Sequence, residues 1–375
     1  MSINIQNVFA DYSKSLQAIV DTRLDKFKTP FYNRFFQLGM PTPNLTYQSI
    51  IGTSRIEAAA SIVAHGSEAP LRGRAGLSTL AGKVSSIKVK RKMDEDQYRN
   101  MLMLESIRTP DESKKTAVLK LIWNDVEYVV NAVQQRLDLM AARALSTGVV
   151  PIDTTSNPDG VIPGDIDLLV THKVAHDDIG STTGSTRTWT AANKGTANPI
   201  ADIIKVTRDY WNTYGIVFDK ILMTPEKLWI VLSTTEVVNA LKGFTNVDPS
   251  NGYFPSMSAL NALLLSQNLP VIETVDVRGA IEKDGVLTSY NGWSDKKYVT
   301  FVPAGQLGVM HNSYALEEMN PVANVDYAIA NRTLVSRWSQ TEPFGEYTRG
   351  EIAAFPGLEM ADQLVLVNTE HQTIF

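Results

Sequence analysis

The sequence predicts an α+β fold in which a long two-stranded arm, one very long helix and a mixed α/β lobe follow one another along 375 residues. Three observations carry this reading. Apolar or small residues at Val118, Ile122, Val126, Val129, Val133, Leu137, Met140 and Ala144 recur every three or four positions, the period of a helix face. Strand-like runs flank the glycine-rich, basic stretch GSEAPLRGRAGLSTLAGKVSSIKVKRK at 66–92. Two helix starts, Asn198-Pro199 and Thr224-Pro225, stand among short β-prone runs.

Single hydrophobic cores stop growing near roughly 250 to 300 residues, so a chain of this length predicts more than one packed unit. With 43% apolar and 20% charged residues, the composition is that of a folded globular protein and excludes collagen-like or wholly disordered chains. The absence of cysteine removes disulfides, thiolate nucleophiles and Cys-based metal sites, and suits assembly in a reducing cytosol. MSINIQNVFADYSK lacks a basic region followed by an apolar core, and no apolar run approaches the ~20 residues of a membrane span, so neither export nor a membrane partner is expected. A formal charge of −5 argues against general nucleic-acid coating and leaves room for a local basic patch.

Residues 1–48 read as an N-terminal arm: a short amphipathic stretch with Leu16, Ile19, Val20 and Leu24, then an aromatic, Pro- and Gly-containing segment without sustained period. Residues 49–98 read as a hairpin. RIEAAASIVAH (55–65) alternates loosely and is expected to pair with KVSSIKVKRK, where Lys88, Lys90 and Lys92 alternate with Ile87 and Val89 to give one cationic and one partly apolar face. The connection is far longer than common hairpin loops, and a two-stranded ribbon is marginal alone in water, so a neighbouring molecule or the body of the chain must cover it. A charge run is most often a solvated face; on a glycine-rich arm, pairing between subunits is an equal expectation. Arg72, Arg74, Lys83, Lys88, Lys90 and Lys92 are therefore the candidate subunit-interface residues.

The helix is expected over about 110–147, with Thr109 as cap, Pro110 at its first position, Glu112 completing a capping box and Gly148 as terminator. It would be the backbone of a region spanning 99–198, whose later part mixes turn residues, short β-prone runs and a Ser/Thr/Gly-rich loop. Residues 199–320 read as the α/β lobe. Its helices carry Ile203, Ile204 and Trp211, and then Leu228, Trp229 and Leu232, at apolar positions. A further helix is expected over 257–268, with strands in PVIETVDV, GVLTSY, YVTFVPAG and LGVMH. The tail, 321–375, returns to strand-like sequence and is expected to close back onto the long helix.

Catalytic signals are weak. His172 and His176 with Asp177 and Asp178 have a spacing that suits a metal on a helix, but their surroundings read as strand and turn. GLSTL lacks the final glycine of a nucleophile elbow, and GKVSS lacks the upstream glycine and Lys-Ser/Thr pair of a phosphate loop. Asp94-Glu95-Asp96 sits beside the basic strand, where charge balance explains it. No cofactor, metal site or catalytic residue is expected.

The segment AHGSEAPLRGRAGLSTLAGKVSSIKVKRKMDEDQY, the helix LKLIWNDVEYVVNAVQQRLDLMAARALSTG and the ending FPGLEMADQLVLV are similar to the lambda-type (protein E) group of tailed-phage major capsid proteins. That resemblance implies the fold first seen in phage HK97. Its parts would be an N-arm, an extended loop (E-loop) at about 50–95, a peripheral domain on the spine helix and an axial domain near 199–320. It implies a non-enzymatic protein of the virion that is assembled in the host cytoplasm. Its copies would form hexamers and pentamers of an icosahedral head around packaged double-stranded DNA, without sequence-specific binding. A separate scaffolding protein, a portal and, optionally, a decoration protein are the implied partners. Some relatives cross-link a loop lysine to a neighbour's asparagine; Lys83, Lys88, Lys90 and Lys92 are so placed, but no signature identifies a pair. An encapsulin-like compartment shell of the same fold, and a soluble hydrolase with a dispersed site, are the alternatives.

Overall fold

A computed structural model describes residues 16–21, 27–51, 78–106, 111–160, 164–179, 186–245, 255–283, 285–342, 344–371 and 375. The expected cap at Thr109-Pro110, the run 55–65, and Arg72 and Arg74 lie outside these residues.

Helix α1 (Leu16–Asp21) and a 3-10 turn at Phe31–Arg34 lead into strand β1 (Phe36–Leu38). Strand β2 (Thr46–Ile51) pairs antiparallel with β3 (Ser78–Lys83), from Thr46 opposite Lys83 to Ile51 opposite Ser78. After Val84 and Ser85 comes the basic strand β4 (Ser86–Met93), followed by α2 (Glu95–Ser106) and the long helix α3 (Asp111–Thr147). At 1.5 Å per residue, α3 extends roughly 55 Å. It stops at Gly148, whose φ of +70° only glycine adopts without strain.

The inward face of α3 is wider than the predicted stripe: Val130, Ala141 and Leu145 are buried beside Val126, Val129, Val133, Leu137, Met140 and Ala144. Polar groups on this face are matched. Tyr32 Oη donates to Gln134 Oε1 at 2.9 Å, and Gln134 Nε2 donates to Thr333 Oγ1 at 2.9 Å and Asn331 O at 3.0 Å. The Tyr32 amide donates to Asp138 Oδ1 at 3.0 Å. Burial pushes the Asp138 carboxyl up to about 6, against the opposing pull of that amide. These bonds hold the aromatic N-terminal segment against the helix.

Beyond α3 come β5 (Val149–Ile152), β6 (Gly164–Asp167), β7 (His172–Ala175), α4 (His176–Ile179), α5 (Pro199–Tyr214), β8 (Phe218–Met223), α6 (Pro225–Leu232), α7 (Thr235–Thr245) and α8 (Met257–Ser266). The prolines open α5 and α6 as the sequence predicts. Thr224 Oγ1 caps α6 by accepting from the Lys227 amide at 3.2 Å. In α5 the cap comes from another helix: Glu236 of α7 accepts from the Ile200 and Ala201 amides at 2.8 and 3.1 Å. The remaining elements are β9 (Val271–Thr274), β10 (Arg278–Lys283), β11 (Val286–Asn291), β12 (Tyr298–Pro303), β13 (Gly308–Ser313), α9 (Leu316–Met319), β14 (Asp326–Ala330), β15 (Thr333–Thr341), β16 (Phe344–Leu358) and β17 (Val365–Asn368).

Two sheets organise the molecule. In the first, β16 is central: β15 pairs along one edge, while β4 and then β13 share the other, with β1 beyond β13 and β14 beyond β15. This sheet lies across α3, and the core between them includes Phe36, Leu137, Met310 and Phe355. The second sheet runs β7-β17-β12-β8-β9 and packs against α5 to α8 around Ile203, Ile221, Leu264 and Phe301. The chain exchanges between them: β13 leaves the α/β lobe for the first sheet, and β17, from the tail, enters the second.

One expectation is corrected, and one falls outside the described residues. The basic strand pairs with β16, Lys88 opposite Glu351 and Lys92 opposite Tyr347, and its expected partner 55–65 lies outside the described residues. Its alternation is real, with Ile87 and Val89 packed against the core and the lysines exposed, but alternation specifies a face and not a partner. Trp211 and Trp229, read as apolar positions of their helices, both point outward.

Candidate assembly interface

The rim of the first sheet carries the basic strand and the root of the arm. Lys88 Nζ reaches Glu351 Oε1 at 2.8 Å, Lys92 Nζ reaches Asp94 Oδ1 at 2.9 Å, and Lys90 Nζ stands 4.9 Å above the Tyr347 ring. Arg91 pairs with Asp125 at 3.0 Å and covers the Tyr128 ring at 4.5 Å. The hydrogen bond to Asp94 raises the Lys92 ammonium above its usual range, opposed by slight desolvation. All three lysines keep their heads in solvent, so these contacts orient the side chains without removing their charge from the surface. Of the acidic cluster, Asp94 pairs with Lys92 of this strand, whereas Glu95 pairs within its own helix with Arg99 at 2.6 Å.

The structure brings Lys88, Lys90 and Lys92 onto one exposed face of β4 and places Lys83 apart from them, at the root of the β2–β3 ribbon. That root is anchored by Tyr47, which is buried over the His311 and Phe355 rings and against Gly82. No local sequence signal marks this contact, because its members stand on strands far apart in the chain. Beside the basic strand, a groove of about 900 Å³ runs between β4, α3, residues 156–160 and β10, with Lys88, Arg136, Asp159 and Glu282 on its walls.

The histidines do not converge. His172 packs between Tyr210 and Tyr214, with ring centroids 5.0 and 4.6 Å away. His176 is fully buried with its ring nitrogens 3.5 Å from Asp177 and 3.4 Å from Asp202. Desolvation lowers its pKa, but the two carboxylates outweigh that effect and the net shift is upward. Among the described residues no three His, Cys, Asp or Glu side chains are grouped to hold a metal ion, and no helix is long and apolar enough to cross a membrane.

The model of the family described as phage major capsid protein E matches residues 20–365. No curated protein sequence matches the chain. Among solved structures, it is similar to a protein assigned as the capsid protein of an E. coli CFT073 prophage, at 17% identity and a TM-score of 0.55, covering 95% of this chain and 99% of that one. A phage-related protein of Bordetella bronchiseptica RB50 matches at 12% identity and a TM-score of 0.51, over 96% and 98% of the two chains. The shared architecture is the HK97-type fold.

Proposed function

The chain belongs to the phage major capsid protein E family, and on that premise we propose that its copies close into hexamers and pentamers that tile an icosahedral head around double-stranded DNA. Family membership makes it a structural protein of the virion shell and not an enzyme. The proposal concerns how the shell is built.

The observation that carries the reading is the β2–β3 ribbon. It has two strands, no third strand beside it among the described residues, and leads into residues 52–77. Such a ribbon is marginal by itself in water, and a neighbouring subunit supplies the missing cover. In this reading 49–98 is the E-loop, 1–48 the N-arm, 99–198 and 321–375 the peripheral domain, and 199–320 the axial domain. Arg72, Arg74 and Lys83 meet the neighbour along the loop, and Lys88, Lys90 and Lys92 at its base. Many weak contacts of this kind allow correction during assembly and together lock the finished shell. Scaffolding, portal and any decoration are separate proteins, and assembly takes place in the host cytoplasm. The mildly acidic subunit avoids adhesion to the packaged phosphates; strongly salt-sensitive binding of isolated subunits to DNA would contradict this.

Electron microscopy of the expressed protein tests the reading: rings and closed shells are expected, and a uniformly monomeric particle would overturn it. Nucleic acid inside purified particles is the expected content; an enclosed enzyme in its place would point to a compartment shell.

A further inference from the structure

The two outward tryptophans stand in complementary surroundings at opposite ends of one strand. Helix α5 passes through Gly215 into the start of β8, and there Ile204, Trp211, Val217 and Leu269 line a recess of about 480 Å³ with Arg208 at its edge. Trp211 and Val217 are 57% and 67% exposed. Helix α6 departs from the far end of β8, and on its outer face Trp229 is 67% exposed. The six residues of β8 separate knob from recess by roughly 20 Å along the strand.

Each tryptophan has a charge three residues before it, on the same helix face: Glu226 for Trp229 and Arg208 for Trp211. Arg208 has no ion-pair partner among the described residues, and Glu226 reaches Lys296 only at 3.9 Å with both side chains about half exposed. The knob is therefore aromatic and acidic, and the recess aromatic and basic.

We propose that Trp229 of one copy seats in the Trp211 recess of the next, with Glu226 set against Arg208. The occupant is a second copy of this chain, and the proposal rests on the shell reading. Two different surfaces at opposite ends of a lobe make a head-to-tail contact, which repeats from copy to copy and closes into a ring when the rotation per copy allows. Tryptophan and arginine are the residue types that most often dominate interface energy, and a buried aromatic contributes roughly 150 to 250 Å². The charge pair sets direction and excludes the reversed pairing.

The cysteine-free chain permits a direct test. Ser233 lies one turn beyond Trp229 and Gln267 at the lip of the recess, and both are exposed. With a short bis-maleimide, a chain carrying both Ser233→Cys and Gln267→Cys is expected to give a ladder extending beyond dimers. Each single variant should stay unlinked. Dimers from Ser233→Cys alone would reveal a symmetric contact and overturn the proposal. Closed shells without any linkage would overturn it while leaving the shell reading standing. If no shells form, the shell reading fails, and the double variant in solution still decides the contact: a ladder upholds it and its absence sinks it. In parallel, Glu226→Arg and Arg208→Glu should each reduce particle yield by about tenfold, with recovery when the two are combined; unchanged yields in the single variants would contradict the pairing.

Discussion

The ring of Tyr47 stacks on His311 with centroids 4.6 Å apart and planes 16° from parallel. Phe355 continues the row at 5.7 Å. Because Tyr47 stands on β2, His311 on β13 and Phe355 on β16, one aromatic row fastens the root of the β2–β3 ribbon to the sheet over α3. Burial raises the Tyr47 hydroxyl to about 12, so it stays neutral in any physiological condition.

Tyr47→Ala should lower subunit stability by about 3 kcal/mol, the lower end for removing a buried aromatic ring, since the site opens toward the ribbon. Urea unfolding measures it. Gly82→Ala acts at the same place, because its new Cβ would lie 2.9 Å from Tyr47 Oη. A loss below about 1 kcal/mol in Tyr47→Ala would show that the row does not hold the root.

The same row predicts a pH dependence. Burial lowers the His311 pKa; Tyr47, Phe355 and Gly357 surround the ring without a compensating charge. The unfolded chain therefore binds this proton more readily, and stability falls as pH drops below the unfolded value near about 6.5. His172, also lowered mainly by desolvation, adds in the same direction. His176, net raised, opposes it: its contribution is present below about 6.5 and lost as pH rises through its folded value. His311→Gln should flatten the fall in Tm between pH 7.5 and pH 5; a slope equal to the parent's would exclude His311 as a contributor.

Strand β16 passes close to α3 at Gly350, where an added Cβ would meet Val129 O at 2.8 Å. Gly350→Ala should cost about 1 to 3 kcal/mol by overpacking. Gly195→Ala, whose Cβ would meet nothing within 4 Å, is the matched control and should leave Tm nearly unchanged.

Removing the exposed charges of the basic strand should separate folding from assembly. Lys90→Ala and Lys92→Ala each take away a solvent-facing contact worth about 0 to 1 kcal/mol, and Lys88→Ala leaves the buried Glu351 with Arg349, 3.6 Å away. The triple variant should unfold at nearly the parental urea concentration yet form shells less completely by electron microscopy. Full-yield shells would remove these three lysines from the interface.

The sequence by itself determined what depends on neighbours along the chain. The helix expected over 110–147 runs from Asp111 to Thr147 and ends at Gly148, and Thr224 caps α6, because period, cap chemistry and positive φ act within a few residues. Tertiary structure alone decided the partners. Strand β4 had a cationic and an apolar face in sequence, but its pairing with β16 depends on a segment more than 250 residues away. For the same reason β13 and β17 could be recognised as strands but not assigned to sheets. Trp211 and Trp229 look like core in a helical pattern, and only the packed lobe shows that nothing of this chain covers them among the described residues. Strand alternation and helical period specify which faces are apolar; which surface meets each face is settled by long-range packing.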